Sequence, residues 1–277
     1  MLGKLLKHEY KITSRYFIPM YIAIGVMTLL LKLSFLFSEN SIFMSIEAST
    51  FMDIVQGLLI TVYVIVLVGT AFLSVFFLVK RYYSNMFGDE GYLTHTLPVT
   101  GNQLLNSKLI CSFTWILSLI PVALLSFLLL FAGTDIYFDV SDAMAILMEE
   151  ARIMSISGFS VGLLVAELIA CVLIGYISAL LSYYLAITLG QHFMGDHRLL
   201  GSIIFYFVLS IISSAISSVF TNIVEQTIYE NIMVSAAAAL FQAVTIILGI
   251  GIVINLILIV VYYLITNYLL TKKLNLY

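Results

Sequence analysis

The chain has 277 residues, of which 62% are hydrophobic and only 10% charged, with a formal net charge of −3. Soluble domains carry about a quarter charged residues. No water-soluble fold of this size hides so much apolar surface, so the solvent must be lipid. The cysteines, Cys111 and Cys171, both lie in apolar stretches. That excludes a disulfide scaffold and suits no metal site, so they read as small core residues.

The first 16 residues form an element of their own. At about 100° per residue, Lys4, Lys7, His8, Lys11, Ser14 and Arg15 share one arc. Leu2, Leu5, Leu6, Tyr10, Ile12 and Tyr16 share the other. The pattern predicts a basic amphipathic helix in the cytoplasmic headgroup layer. Glu9 falls on the apolar arc, where it either reaches out to water or meets a basic residue of a neighbouring helix or partner. The apolar run that follows ends in Phe37-Ser38-Glu39-Asn40 with no small-residue cleavage pattern. It reads as a retained first span rather than a signal peptide.

A spanning helix needs about 20 apolar residues. Six such spans fit, at 17–37, 54–79, 104–132, 158–190, 199–220 and 243–270. The fourth is too long for one perpendicular crossing, so it tilts or begins in the outer interface. The segment 133–157 is acidic, and Met144, Leu147, Met148, Ala151 and Met154 recur in it at helical spacing, predicting an interfacial helix. The segment 221–242 is semi-polar and then alanine-rich. It is compatible with an outer loop carrying a small re-entrant helix, and its composition does not decide the matter. The expectation is an all-α polytopic membrane protein forming a single transmembrane domain.

Ten of the twelve basic residues fall on one side of this pattern: Lys4, Lys7, Lys11, Arg15, Lys80, Arg81, Lys108, Arg198, Lys272 and Lys273. Lys32 lies inside a span and Arg152 falls opposite. Short loops rich in Lys and Arg stay cytoplasmic. The expected location is therefore the bacterial inner membrane with both termini in the cytoplasm. Tyr16, Tyr82, Tyr83, Tyr262 and Tyr263 lie near span ends and read as interface anchors.

One cytoplasmic loop, 80–109, has recognisable content. Asp89 and Glu90 suit a helix start, where negative charge meets the positive end of the dipole. Leu93 and Leu97 would share a face, and Pro98 stops the helix. Thr100 followed by Gln103 is a capping box that launches the third span. The prediction is a short amphipathic helix parallel to the membrane, tied to two spans.

Here Asp89-Glu90-Gly91-Tyr92, then Leu97-Pro98, then Lys108 resemble the coupling segment of ABC-2 type transporter permeases. The plan is similar too: an amphipathic N-terminal helix, six spans, and the segment between spans two and three. The resemblance implies that Asp89, Glu90, Gly91, Tyr92, Leu93, His95, Leu97 and Pro98 contact a cytoplasmic ABC ATPase. It also implies a second permease subunit, identical or different. Many family members carry a basic residue soon after the proline. Val99-Thr100-Gly101-Asn102 is uncharged, so partner contacts differ there. The chain has no G-x-x-x-x-G-K-[ST] phosphate loop, so it is not expected to be an enzyme. It needs no cofactor of its own, and ATP and Mg would be bound by the partner ATPase. Export follows from the resemblance. The lack of a hydrophilic channel signature suggests a hydrophobic peptide or drug-like substrate. The bilayer is a partner by composition, and no nucleic-acid partner is expected.

In the fifth span Ser210, Ser213, Ser214, Ser217 and Ser218 share one face. They either pack closely within the subunit, meet the second permease, or line the substrate path. By the resemblance the second span takes part, making Gln56, Thr61, Thr70 and Ser74 candidates there. Gly158, Gly162, Ala166 and Ala170 form a stripe on the fourth span suited to packing within the subunit. Glu167 follows it, and Lys32 sits at a similar depth in the first span. Buried intramembrane charges normally pair or face water, so these two are expected to form an ion pair, as a latch or as an ion relay. His8, His95, His192 and His197 offer no convergent metal geometry. Glu149-Glu150 with Arg152 superficially resembles an intramembrane protease site, but the arginine spacing is wrong and no histidine is near. The competing classes are an ATP-independent channel or secondary transporter working through Lys32 and Glu167, and a membrane scaffold or sensor that moves nothing. Missing inverted repeats count against the transporter.

Overall fold

In the computed structural model the described residues are 2–39, 46–88, 90–91, 96, 99–132, 142, 145–146, 148–149, 161–194, 197–231 and 236–272. Their long elements are α1 (Leu2–Glu39), α2 (Ile46–Met86), α3 (Gly101–Phe131), α4 (Val161–Phe193), α5 (Arg198–Asn231) and α6 (Ala236–Lys272). No strand occurs among the described residues. All six helices are long and apolar enough to cross a membrane, so the chain is an all-helical, multi-pass membrane protein. Their outward faces carry Leu29, Leu33, Phe72, Leu124, Phe207 and Ile211 exposed. Hydrocarbon solvates such faces, and the backbone polar groups are satisfied within each helix.

The N-terminal segment expected as a separate element runs unbroken into the first span, through Pro19. A helix of 38 residues is about 57 Å long at 1.5 Å per residue. It therefore exceeds the roughly 30 Å hydrocarbon core. Similarly, α5 extends to Asn231 and α6 begins at Ala236, so the undecided 221–242 stretch is mostly a continuation of those two helices. The interfacial helix expected at 144–154 lies largely outside the described residues.

The chain forms two compact units. One comprises residues 1–81 and 106–144. Its α1 turns Glu9, Thr13, Phe17, Ile24, Thr28 and Leu31 inward, a stripe of three-, four- and seven-residue steps expected of a helix packed along one face. Leu31, Tyr63 and Leu130 form a core with Met27, Phe35, Leu59 and Leu67 around it. Tyr63 Oη reaches Ser126 Oγ at 2.7 Å. Trp115, the single tryptophan, stacks on Phe17 with ring centroids 4.6 Å apart and donates to Thr13 Oγ1 at 2.7 Å.

The other unit comprises residues 82–105 and 145–277. Here α4 packs along both α5 and α6, which touch each other far less. α4 and α5 approach closely at Gly190, where an added Cβ would lie 2.4 Å from the Ser202 backbone nitrogen. Small residues allow such approach in lipid, where packing rather than hydrophobicity drives association. Gly190→Ala is expected to cost about 1–3 kcal/mol through overpacking. A Cβ on Gly201 would lie 2.9 Å from Met194 Cβ and 3.2 Å from Gly190 Cα, a looser fit than at Gly190, so Gly201→Ala should cost less. Thermal unfolding of the two variants in detergent checks the order. Of the stripe expected to pack within the subunit, Gly162 and Ala166 are exposed and Ala170 is half-buried, while Gly158 lies outside the described residues.

Candidate functional site

The loop between α2 and α3 is described in part. Asp89, Tyr92, Leu93, His95, Leu97 and Pro98 lie outside the described residues. Glu90 and Gly91 are described as helical. Asn85 Nδ2 donates to Glu90 Oε2 at 3.0 Å, and Gly91 N donates to Gly88 O at 2.8 Å. A Cβ on Gly91 would lie 2.8 Å from Met86 O, so glycine is required where the chain doubles back on the end of α2. Of the capping box expected at α3, the arm from the Gln103 backbone to Thr100 is present. Gln103 N lies 3.4 Å from Thr100 Oγ1 and 2.9 Å from Thr100 O.

The entrance to this loop is held firmly. Tyr82 is fully buried and stacks on Tyr184 with ring centroids 4.0 Å apart and planes within 9°. Thr188 Oγ1 donates to Tyr184 O, which leaves its lone pairs to accept from Tyr82 Oη at 3.0 Å. Tyr82 is therefore no interface anchor. It faces α4, and its aromatic body and hydroxyl are both used there. Residues 82–105 thus belong with α4–α6 in one compact unit.

In the same unit a cleft of about 290 Å³ opens over α4, between α5 and α6. Four of the five candidate serines of α5 line it: Ser210, Ser213, Ser214 and Ser217. Ser218 does not line it and donates to Ala215 O at 2.9 Å. Opposite them stand Ser178 and Ser182 of α4 and Asn255 and Tyr262 of α6. Sequence reasoning missed these four. Serines one turn apart on α4 and an amide midway along the sixth span were the signals available. Tyr262 had been expected as an interface anchor. It is 5% exposed, about 15 Å inside the end of α6 at 1.5 Å per residue, and its buried Oη has Ser213 of α5 as its polar neighbour.

The second-span candidates divide. Gln56 Nε2 donates to Ser34 O at 3.1 Å. Thr61 is exposed and bonds to Gly57 O within its own helix. Thr70 and Ser74 are buried and donate to Val66 O and Thr70 O respectively.

One charged cluster and two intramembrane charges remain. In the first unit Glu9 Oε1 accepts from Lys108 Nζ at 2.9 Å, and Glu9 Oε2 from Arg81 Nε at 3.3 Å. Glu9 is 7% exposed and Lys108 4%. Of the two roles open to Glu9, the structure shows the meeting with basic residues of neighbouring helices. Lys32 Nζ, in the same unit, donates to Leu130 O at 3.3 Å and also to Ala132 O. These are carbonyls at the C-terminal end of α3, where a cation is favoured by the helix dipole. Glu167 belongs to the other unit. It is half-buried, with Oε2 lacking a hydrogen-bond partner. No group of three or more His, Cys, Asp or Glu side chains suited to a metal occurs among the described residues.

No protein-family model, curated protein or solved structure matches the chain.

Proposed function

We propose that this chain is the permease subunit of an ATP-driven exporter of the ABC-2 type. It pairs with a second permease and with separate ATPase subunits, which bind ATP and Mg, and moves a hydrophobic peptide or drug-like molecule outward across the bacterial cell membrane. Both termini lie in the cytoplasm, in keeping with the ten basic residues on that side. The basic arc of the first 16 residues rests in the headgroup layer, and the short helix after Asp89 lies in a groove of the ATPase.

The observation that carries this reading is the membership of residues 82–105 in the same compact unit as the cleft. A push on the loop by a cytoplasmic engine is delivered through the Tyr82–Tyr184 stack to the helix that floors the cleft. Co-purification with the chain's genomic neighbours is expected to recover a separate ATPase. Recovery should fall at least tenfold for the Leu93→Asp/Leu97→Asp variant, with thermal unfolding unchanged. Undiminished recovery would remove this loop as the contact and the permease reading with it.

A further inference from the structure

One face of α1 changes chemistry partway along its length. Lys4, Lys7, Lys11 and Arg15 follow one another at steps of three and four residues, and Ile18, Ile22, Val26 and Leu29 continue the same series without a break. Such steps keep all eight on one face of the helix, and all eight are exposed. The packed face lies roughly half a turn away at 100° per residue. It carries Glu9, Thr13, Phe17 and Ile24, all buried. The apolar half of the exposed stripe is therefore turned to acyl chains, and the basic half stands over the headgroups of the same lipids. Arg15 is about 4.5 Å and Lys11 about 10 Å along the axis from Ile18 at 1.5 Å per residue. Their long side chains lay apolar stems on the helix and carry the charge on into the polar layer, which is about 5–7 Å deep on each side of the hydrocarbon.

The segment does not neutralise this charge itself. Its one acid, Glu9, lies on the packed face and is paired with Lys108 and Arg81. The first turn of α1 holds no acidic residue, so Lys4 stands at the positive end of the helix dipole, where a cation is disfavoured. Like charges one turn apart repel as well. An anion supplied from outside the chain relieves both costs. The continuity of the basic and apolar halves on one face selects an anion that brings its own acyl chains.

We infer that the outer face of α1 binds anionic phospholipid in preference to zwitterionic lipid. The phosphate sits between Lys11 and Arg15, the acyl chains lie along residues 18–29, and Lys7 and Lys4 add to the attracting field. The inference does not rest on the permease reading, since it needs no ATPase.

The test uses the full chain in nanodiscs of phosphatidylcholine and phosphatidylglycerol in equal parts. A trace of one lipid or the other carries a diazirine at the same position of the same acyl chain, and labelled residues are mapped by mass spectrometry. Each cation near anionic headgroups is worth about fivefold, so labelling at residues 18–29 should favour phosphatidylglycerol by about tenfold or more. At Ile54 and Leu58 of α2, exposed beside Asp53, the two lipids should label within about twofold of each other. Lys11→Gln/Arg15→Gln should bring the α1 preference down to about twofold. It should leave the unfolding temperature unchanged, because both side chains are exposed. Lys11→Arg/Arg15→Lys should keep the preference, and Lys4→Gln/Lys7→Gln should lower it less, these charges being farther from the hydrocarbon edge. Equal labelling of α1 by the two lipids would give the face to a soluble acidic partner or to another subunit and would overturn the inference. So would a preference that survives Lys11→Gln/Arg15→Gln. So would one abolished by inorganic phosphate but not by chloride of the same ionic strength, since the anion bound there would then be a free one.

Discussion

Replacing Glu9 with alanine is expected to destabilise the chain by about 3–5 kcal/mol, the usual cost of leaving a buried charge without its partner. Lys108 is 4% exposed, and Glu9 is the carboxylate paired with both it and Arg81. Removing the acid leaves two cations facing each other where water reaches poorly. The double variant Glu9→Met/Lys108→Met removes both deeply buried ions and leaves Arg81, the more exposed of the bases. Unfolding midpoints of the full chain in detergent should show the double variant recovering more than half of the loss. Equal losses in single and double variants would mean that Glu9 acts through packing and not through charge. The cluster ties the N-terminal part of α1 to α2 and α3. This explains why a lone acid sits on the apolar arc of an otherwise basic helix.

That arc was legible in the sequence, and so was the anomaly, because helical periodicity is a local property. The spans were legible for the same reason: twenty apolar residues are a statement about one segment and its solvent. Which face of α5 meets what was not. Ser210, Ser213, Ser214 and Ser217 announce a shared face, yet its neighbours Ser178, Ser182 and Tyr262 come from segments more than 25 residues away. Nothing in their spacing points at α5. Tyr82 and Tyr262 misled for a physical reason. A tyrosine near a span end satisfies the headgroup layer as an amphipathic ring, but the same ring and hydroxyl can serve a helix–helix contact, as Tyr82 does against Tyr184 and Thr188. Lys32 adds contacts that the sequence could not announce. Its described acceptors within its own unit are carbonyls ending α3, and backbone acceptors have no residue-type signature.

Tyr82→Ala is expected to cost about 3–5 kcal/mol, as for other fully buried aromatic truncations, and to do more than destabilise. The ring contributes its stack on Tyr184 and its hydroxyl a bond to Thr188. Tyr82→Phe keeps the first and loses the second, at a cost of about 1 kcal/mol for one hydrogen bond. If residues 82–105 transmit a push to α4, the loss of the stack should separate two quantities that a general weakening would move together. ATPase recovery with the purified chain should stay within twofold of the parent, because the contact helix itself is untouched. Transport of the exported molecule in reconstituted vesicles should fall at least tenfold. Tyr184→Phe, which retains the stacking ring, should behave like the parent in both. If Tyr82→Ala lost ATPase recovery and transport in equal proportion at a temperature where it remains folded, the stack would be a structural prop of the loop. The route from loop to cleft would then have to run elsewhere in the unit, with the close contact of Gly101 on Thr271 the next place to cut.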